Sequence, residues 1–443
     1  MAYPTLTDKP GALETAAAIR AGELSPREAV GHAIARIEKL DAKINAVVVC
    51  DFERARETAS ALDGQTARAD QPLFGVPMTI KESFDIEGLP TSWGHERYAG
   101  NIASRDAEVV ERLKRAGAIF LGKTNIPPDL ADWQSNNPVH GRTSNPHDHE
   151  RSPGGSSGGA AAAVASGMVA CEFGSDIGGS IRVPSHFCGV WGHKPTYGLV
   201  SLDGHLLPGT DGHEVEMSVG GPLARDPDDL ELALRLTWRH PVAEAGFDTL
   251  SGLRIALLGE HPVAGCASEI AAAVEQTARA AESAGAKLVQ DAPFPELAEM
   301  HAAYLRLLLT TLGRGQPLPD DVAPVGLESW WQMLDDQARF RRRWEALFDE
   351  VDVVIAPVAG IPSFPHDDGD SMNRMVEIDG EMTPWGAQLA WAGLANYPGL
   401  PGTALPVAAT SDGLPIGVQV IGPRYGDLTT LRATKLLHAA LGK

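Results

Sequence analysis

The chain has 443 residues, of which 43% are hydrophobic and 21% charged, the balance of an ordinary globular protein rather than a disordered or fibrous one. A formal charge of −21 argues against a general electrostatic footprint for nucleic acid or for an anionic membrane surface. No window reaches the ~20 apolar residues of a membrane span, the amino terminus has no apolar export core, and the scattered Cys50, Cys171, Cys188 and Cys266 suit reduced thiols in a cytoplasm.

Ser25-Pro26-Arg27-Glu28 is a capping box with proline at the first helical position, and Val30, Ile34 and Ile37 share one face of the helix it opens. Asn45 to Cys50 reads as a strand, as does Phe74 to Ile80, which delivers Lys81 at its end. An amphipathic helix spans Asp106 to Arg115, Gly117 ends it, and Ala118 to Gly122 is a strand. The later half repeats this alternation. A helix starts at Asp226-Pro227, a strand covers Arg254 to Leu258, a helix Ala267 to Ser283, and a strand Lys287 to Gln290. Asp352 to Ala356 and Ile416 to Ile421 are further strands, and Asp427 to Leu441 closes the chain as a helix. Continuous apolar strands alternating with helices predict an α/β protein, with a mixed, mainly parallel sheet between helical layers. No linker or repeat divides residues 1–443 into separate domains. Residues 293–350, with Trp330, Trp331 and Trp344, are expected to form an appended helical layer or lid. The basic run Arg339 to Arg343 has acidic neighbours and reads as a solvated or ion-paired helix face.

Several motifs need context. Gly117 to Thr124 (GAIFLGKT) fits the phosphate-loop pattern, but that loop needs a strand before it and a helix straight after its lysine; here a helix precedes and Pro127-Pro128 follow. Gly154-Gly155-Ser156-Ser157-Gly158 fits the nucleophile-elbow pattern, but a polar loop enters it, and none of His205, His213, His261 and His438 has an acid–histidine context. His147 and His149, or His186, Cys188 and His193, lack the spacing of familiar zinc sites, so no metal is expected.

The richest stretch is Gly154 to Ser180: two glycine-serine loops tethered to an alanine-rich apolar run and an apolar segment ending in Phe173. A serine hydroxyl is a poor nucleophile until a base takes its proton. Lysine serves as that base when desolvation lowers its proton affinity, and Lys81 at the end of a buried strand is placed for this. A second serine can relay the proton, while the backbone N–H groups of Ile177, Gly178, Gly179 and Ser180 can hold an oxyanion, each such donor being worth ~3 kcal/mol. This chemistry leaves Ser156 and Ser157 equivalent.

These loops, with Gly75 to Lys81, Gly122 to Asn125, Gly141 to Pro146, Asn396 to Pro401 and Leu414 to Gln419, resemble the amidase signature family of serine hydrolases. The resemblance spans nearly the whole chain, is most specific within residues 72–200, and fades between about His240 and Glu350. It implies an α/β/α sandwich, no cofactor, and a triad of Ser180 as nucleophile, Lys81 as base and Ser156, preceded by a cis peptide, as bridging serine. Trp93 stands where the family usually has a small residue and is expected, with Trp133, Gly154 and Gly155, to contact substrate. Family members that serve as the glutaminase subunit of a transfer-RNA amidotransferase carry an acid shortly before the Asn396 motif, but Ala387 to Ala395 contains none. The expectation is therefore an amidase for small, uncharged amides, with esters and carbamates (urethanes) as further substrates, acting as a monomer or homo-oligomer. The alternatives are a non-catalytic binding protein and an amidotransferase subunit.

Overall fold

The computed structural model describes residues 9–210, 212–314 and 324–442; the first eight residues and 315–323, within the expected lid, lie outside them. Ser25 caps the helix Pro26–Ile44: its hydroxyl accepts the Glu28 N–H, and Glu28 accepts the Ser25 N–H in return. Val30, Ile34 and Ile37 are buried, as their spacing predicts. This helix packs with a small sheet ordered Val47–Cys50, Ile119–Thr124, Pro77–Lys81. Every residue of Pro77–Lys81 is buried, so the strand drives its terminal lysine into the interior.

The main sheet has eight strands, in the order Lys287–Val289, Arg254–Leu257, Val353–Pro357, Pro415–Ile421, Gly402–Ala409, Trp191–Lys194, Val219–Ala224 and Cys171–Asp176. Alternate residues face opposite sides of a strand, and Val353–Pro357 displays the layering. Val353 and Ile355 join a cluster with the helices Pro227–Thr237, Ser268–Ser283 and Asp427–Ala440. Val354 and Ala356 face Leu297–Leu312, Leu327–Glu350 and Leu389–Asn396. The α/β/α sandwich with a mixed sheet is thereby established.

Parallel pairing, expected to dominate the sheet, is confined to one edge. Arg254–Leu257 runs parallel to Lys287–Val289 and to Val353–Pro357, whereas the remaining neighbours pair antiparallel. The difference lies in Trp191–Lys194, Val219–Ala224 (VGGPLA) and Gly402–Ala409 (GTALPVAA). Their glycine, proline and alanine content is depleted in strands generally, so the sequence pattern picks out chiefly the strands connected through helices.

The region expected as a lid contributes two helices that build the core. Tyr304 and Trp344 are fully buried, whereas Trp331 is exposed. Cys171 and Cys188 are buried, while Cys50 is exposed rather than in the core, and all four thiols are free.

Candidate active site

The end of Pro77–Lys81 meets both serine loops. Lys81 Nζ lies 2.6 Å from Ser156 Oγ, 2.9 Å from Ser175 Oγ and 3.4 Å from the Ser175 carbonyl oxygen. Burial lowers the lysine from 10.5 to about 7, against the opposing pull of the Asp176 and Glu172 carboxylates. Glu172 is itself pushed up to about 8 by burial, despite the Thr124 hydroxyl donated to its Oε1 at 2.6 Å and the charge of Lys81.

The first loop carries Ser156 on a cis Gly155–Ser156 peptide. A Cβ on Gly155 would stand 2.3 Å from the Asp132 carbonyl oxygen, so this position excludes any side chain. A Cβ on Gly154, at φ +85°, would stand 2.6 Å from Pro184 Cα; both glycines thus pack tightly against protein backbone. Ser157 turns away from Lys81. Its hydroxyl donates to the Ser175 carbonyl at 3.2 Å, and its N–H to the Ser180 carbonyl at 3.2 Å, pinning the two loops together. Between them, Gly158–Ala165 is a helix buried from Gly158 to Val164, and Cys171–Asp176 is a fully buried strand at one end of the main sheet.

The second loop is organised by Asp176 and Arg182, both buried. The carboxylate accepts N–H groups from Gly179 at 2.9 Å and Ile181 at 3.0 Å, and the Arg182 guanidinium at 3.1 and 3.2 Å. Burial alone would raise the Asp176 carboxyl; the charge and donated hydrogen bonds of Arg182, with Lys194 and the Ile181 N–H, hold it well below the usual range. Arg182 is anchored in turn by Gln419 at 2.7 Å and by the Ala392 carbonyl at 3.2 Å.

The loop carbonyls are all engaged. Ile177 accepts from the Tyr304 hydroxyl at 2.9 Å, Gly178 from Trp133 Nε1 at 2.9 Å, and Gly179 from the Val183 N–H at 2.7 Å. A planar trans peptide points its C=O and N–H in opposite directions, so these anchors turn the N–H groups of Gly178 and Ser180 away from Tyr304 and Val183. Gly179 differs from the sequence expectation: its N–H is already donated to Asp176. The N–H groups of Ile177, Gly178 and Ser180 have no hydrogen-bond acceptor among the described residues. Among the described residues, Ser180 Oγ makes no hydrogen bond within the protein.

Beside this loop opens a narrow cleft of about 60 Å³. Ile177, Trp93, Leu130, Leu207, Val215 and Leu312 supply apolar walls, and His205, Thr210, Thr311, Asp129 and Arg314 polar ones. Trp93, expected from the sequence to contact substrate, is one of the residues lining this cleft. Trp133 serves from behind, as a buried donor to the loop stacked edge-to-face on Trp385 at 5.4 Å.

The other motifs resolve into packing. Lys123 of the phosphate-loop match is buried in a strand, donating to the Pro90 carbonyl and Thr91 Oγ1. His186 bonds backbone through both ring nitrogens, and among the described residues no group of three potential metal ligands converges. Three functional features escaped the sequence reading: Ser175, which shares Lys81 with Ser156; the Asp176–Arg182 anchor; and His205. Asp176 and Arg182 flank the glycine-serine loop in sequence, a signal that was available. Ser175 and His205 meet only through tertiary packing.

Comparison with known proteins agrees with this geometry. The profile of the Amidase family matches residues 28–316 and 324–431. The indoleacetamide hydrolase of Bradyrhizobium diazoefficiens is 34% identical over 97% of this chain and 86% of its own length. One component of the glutamyl-tRNA(Gln) amidotransferase of Chromohalobacter salexigens is 32% identical over 94% of each. Among solved structures, 6-aminohexanoate cyclic dimer hydrolase superposes with a TM-score of 0.83 at 26% identity, covering 99% of this chain and 98% of its own. The chain belongs to the amidase signature family, whose hydrolases act on carbon–nitrogen bonds. Among the described residues no helix is long and apolar enough to cross a membrane.

Proposed function

We propose that the protein is an amidase that hydrolyses small, uncharged carboxamides with apolar or aromatic acyl groups through an acyl-enzyme on Ser180, with esters and carbamates as secondary substrates. The observation that carries this reading is the buried Lys81 amine, lowered to about 7 and 2.6 Å from Ser156 Oγ, beside a loop bearing Ser180 and free backbone donors. The neutral amine takes the Ser156 hydroxyl proton as Ser156 takes that of Ser180. Ser180 Oγ then bonds to the carbonyl carbon, and the negative oxygen is held by the N–H groups of Ile177, Gly178 and Ser180. The C–N bond breaks as the proton returns through Ser156 to the leaving amine. Water repeats the cycle on the acyl-enzyme. The Ser156-to-Ser180 contact is expected to tighten with substrate bound, as catalytic hydrogen bonds commonly do.

The similarity to an amidotransferase component supports a second reading, glutamine hydrolysis with a partner chain. The helix Leu389–Asn396 packs Leu389 near Gly178 and contains no acid, and the apolar cleft walls favour the first. Fluorophosphonate labelling with peptide mapping tests the reading, followed by turnover of aryl amides, esters, carbamates and glutamine. Label on Ser180 and aryl-amide turnover abolished by Ser180→Ala are expected; label on Ser156, or turnover that survives in Ser180→Ala, refutes it.

A further inference from the structure

His205 lies outside the triad yet joins it through one hydroxyl. Its Nε2 is 3.0 Å from Ser175 Oγ, which in turn is 2.9 Å from Lys81 Nζ. The ring is clamped between Phe84 at 4.3 Å and Trp93 at 5.2 Å, and Ser83 Oγ, also 3.0 Å from Nε2, competes with Ser175 for its single lone pair. Resting on the catalytic reading above, we propose that His205 is a positioning residue: by accepting the Ser175 hydroxyl proton, it turns the lone pair of Lys81 toward Ser156.

A neutral amine has two hydrogens and one lone pair, and Lys81 has three partners to share them among. The Ser175 carbonyl oxygen accepts only, so Lys81 donates to it. Ser175 Oγ is ambivalent. If its hydrogen points to His205 Nε2, it must accept the second Lys81 hydrogen, and the lone pair is left for the Ser156 hydroxyl. If its hydrogen has no acceptor there, it turns to its other hydrogen-bond partner among the described residues, Lys81 Nζ, and occupies the lone pair that the relay needs. The acceptor at Nε2 therefore decides which serine the base serves. Burial, together with the nearby Lys81 charge, pushes the imidazole down to about 3, so the ring stays neutral and able to accept. The same logic assigns its proton to Nδ1.

The rate of Ser180 labelling by a fluorophosphonate reads this directly and needs no natural substrate. His205→Phe keeps the ring packing and removes the acceptor, Ser175→Ala removes the hydroxyl that takes the second Lys81 hydrogen and so turns that hydrogen, instead of the lone pair, toward Ser156 Oγ, and His205→Gln restores a side-chain oxygen near Nε2. His205→Phe and Ser175→Ala are each expected to slow labelling about 10- to 100-fold, a part of what general-base help supplies. The double variant should be no slower than the slower single one, and His205→Gln should recover most of the rate. A wild-type rate in either single variant, a multiplicative loss in the double, or no recovery with glutamine overturns the proposal. If circular dichroism finds His205→Phe unfolded, His205→Gln and Ser175→Ala decide it alone: a slow Ser175→Ala with a near-normal His205→Gln supports the role, and any other pairing defeats it. Wild-type protein that labels elsewhere or not at all removes the catalytic reading as well; a labelled wild type with unaffected variants removes this inference only.

Discussion

Replacing Lys81 by methionine should abolish Ser180 labelling and yet stabilise the protein at neutral pH. From 10.5 to about 7, at 1.36 kcal/mol per tenfold change in proton affinity, burial costs the protonated amine about 5 kcal/mol. The sign follows from proton counting. Between pH 7 and 10.5 the unfolded chain keeps the lysine proton and the folded chain has lost it, so wild-type stability rises with pH across that window. A methionine binds no proton in either state. At pH 7 it therefore escapes a penalty of about 4 kcal/mol, less about 1–3 kcal/mol for leaving Ser156 and Ser175 short of a partner. At pH 9 the penalty escaped has fallen to about 2 kcal/mol, so the advantage of the variant should shrink by about 2 kcal/mol between the two pH values. Glu172 acts in the same direction: without Lys81 its carboxyl is pushed higher still, and keeping it protonated costs the folded variant more as pH rises. Urea denaturation followed by tryptophan fluorescence at pH 7 and pH 9 measures the difference. A variant less stable than wild type at pH 7, or an advantage that does not change with pH, would refute the account of Lys81 as a buried, desolvated base.

The labelling rate of the wild-type protein should rise about tenfold per pH unit below pH 7 and level off above it, because only the neutral Lys81 amine takes a proton; a rate flat between pH 5 and 8 contradicts this. Arg182→Met leaves the Asp176 charge buried without its partner, so a loss of about 3–5 kcal/mol in urea denaturation is expected. Labelling should fall with it, since Asp176 also holds the Gly179 and Ile181 N–H groups, and a stable, fully labelled variant would show that the anchor is dispensable. Trp93→Ala removes an aromatic wall of the cleft and should move the preference among p-nitroanilides toward longer acyl chains, seen in kcat/KM across a chain-length series; an unchanged series places the acyl group elsewhere.

How far these features could be read from residues alone varies with the range of the interaction that makes them. The Ser25–Glu28 cap and the buried Pro77–Lys81 strand are set by neighbours within a few positions, and both form where the sequence places them. Four strands of the main sheet did not stand out: Cys171–Asp176 reads only as part of an apolar segment, and VGGPLA and its like carry no apolar alternation and owe their conformation to neighbouring strands. Ser156 and Ser157 were indistinguishable by chemistry. What separates them is direction: Ser156 faces Lys81, while Ser157 bonds the Ser175 carbonyl, 18 residues away in sequence. His205 contacts Ser83 across 122 positions and Ser175 across 30, from a segment without helix or strand, and no local pattern marks it.

Burial alone does not single out the base. Lys123 and Lys194 are as deeply buried as Lys81, and burial lowers them to about 8 and about 7. Lys194 donates to the Pro195 carbonyl at 2.9 Å, and Lys123 to the Pro90 carbonyl at 2.6 Å and to Thr91 Oγ1 at 2.8 Å. A carbonyl has no proton to give, so Lys194 has nothing to deprotonate. Thr91 passes its own hydrogen to the Asp85 carboxylate at 2.7 Å, which makes it an acceptor toward Lys123. Lys81 alone of the three faces a hydroxyl on a loop tied to that of Ser180. A lowered proton affinity is thus shared by several lysines of this interior, and it becomes catalytic capacity only where the neighbouring group has a proton to give and a route to a nucleophile.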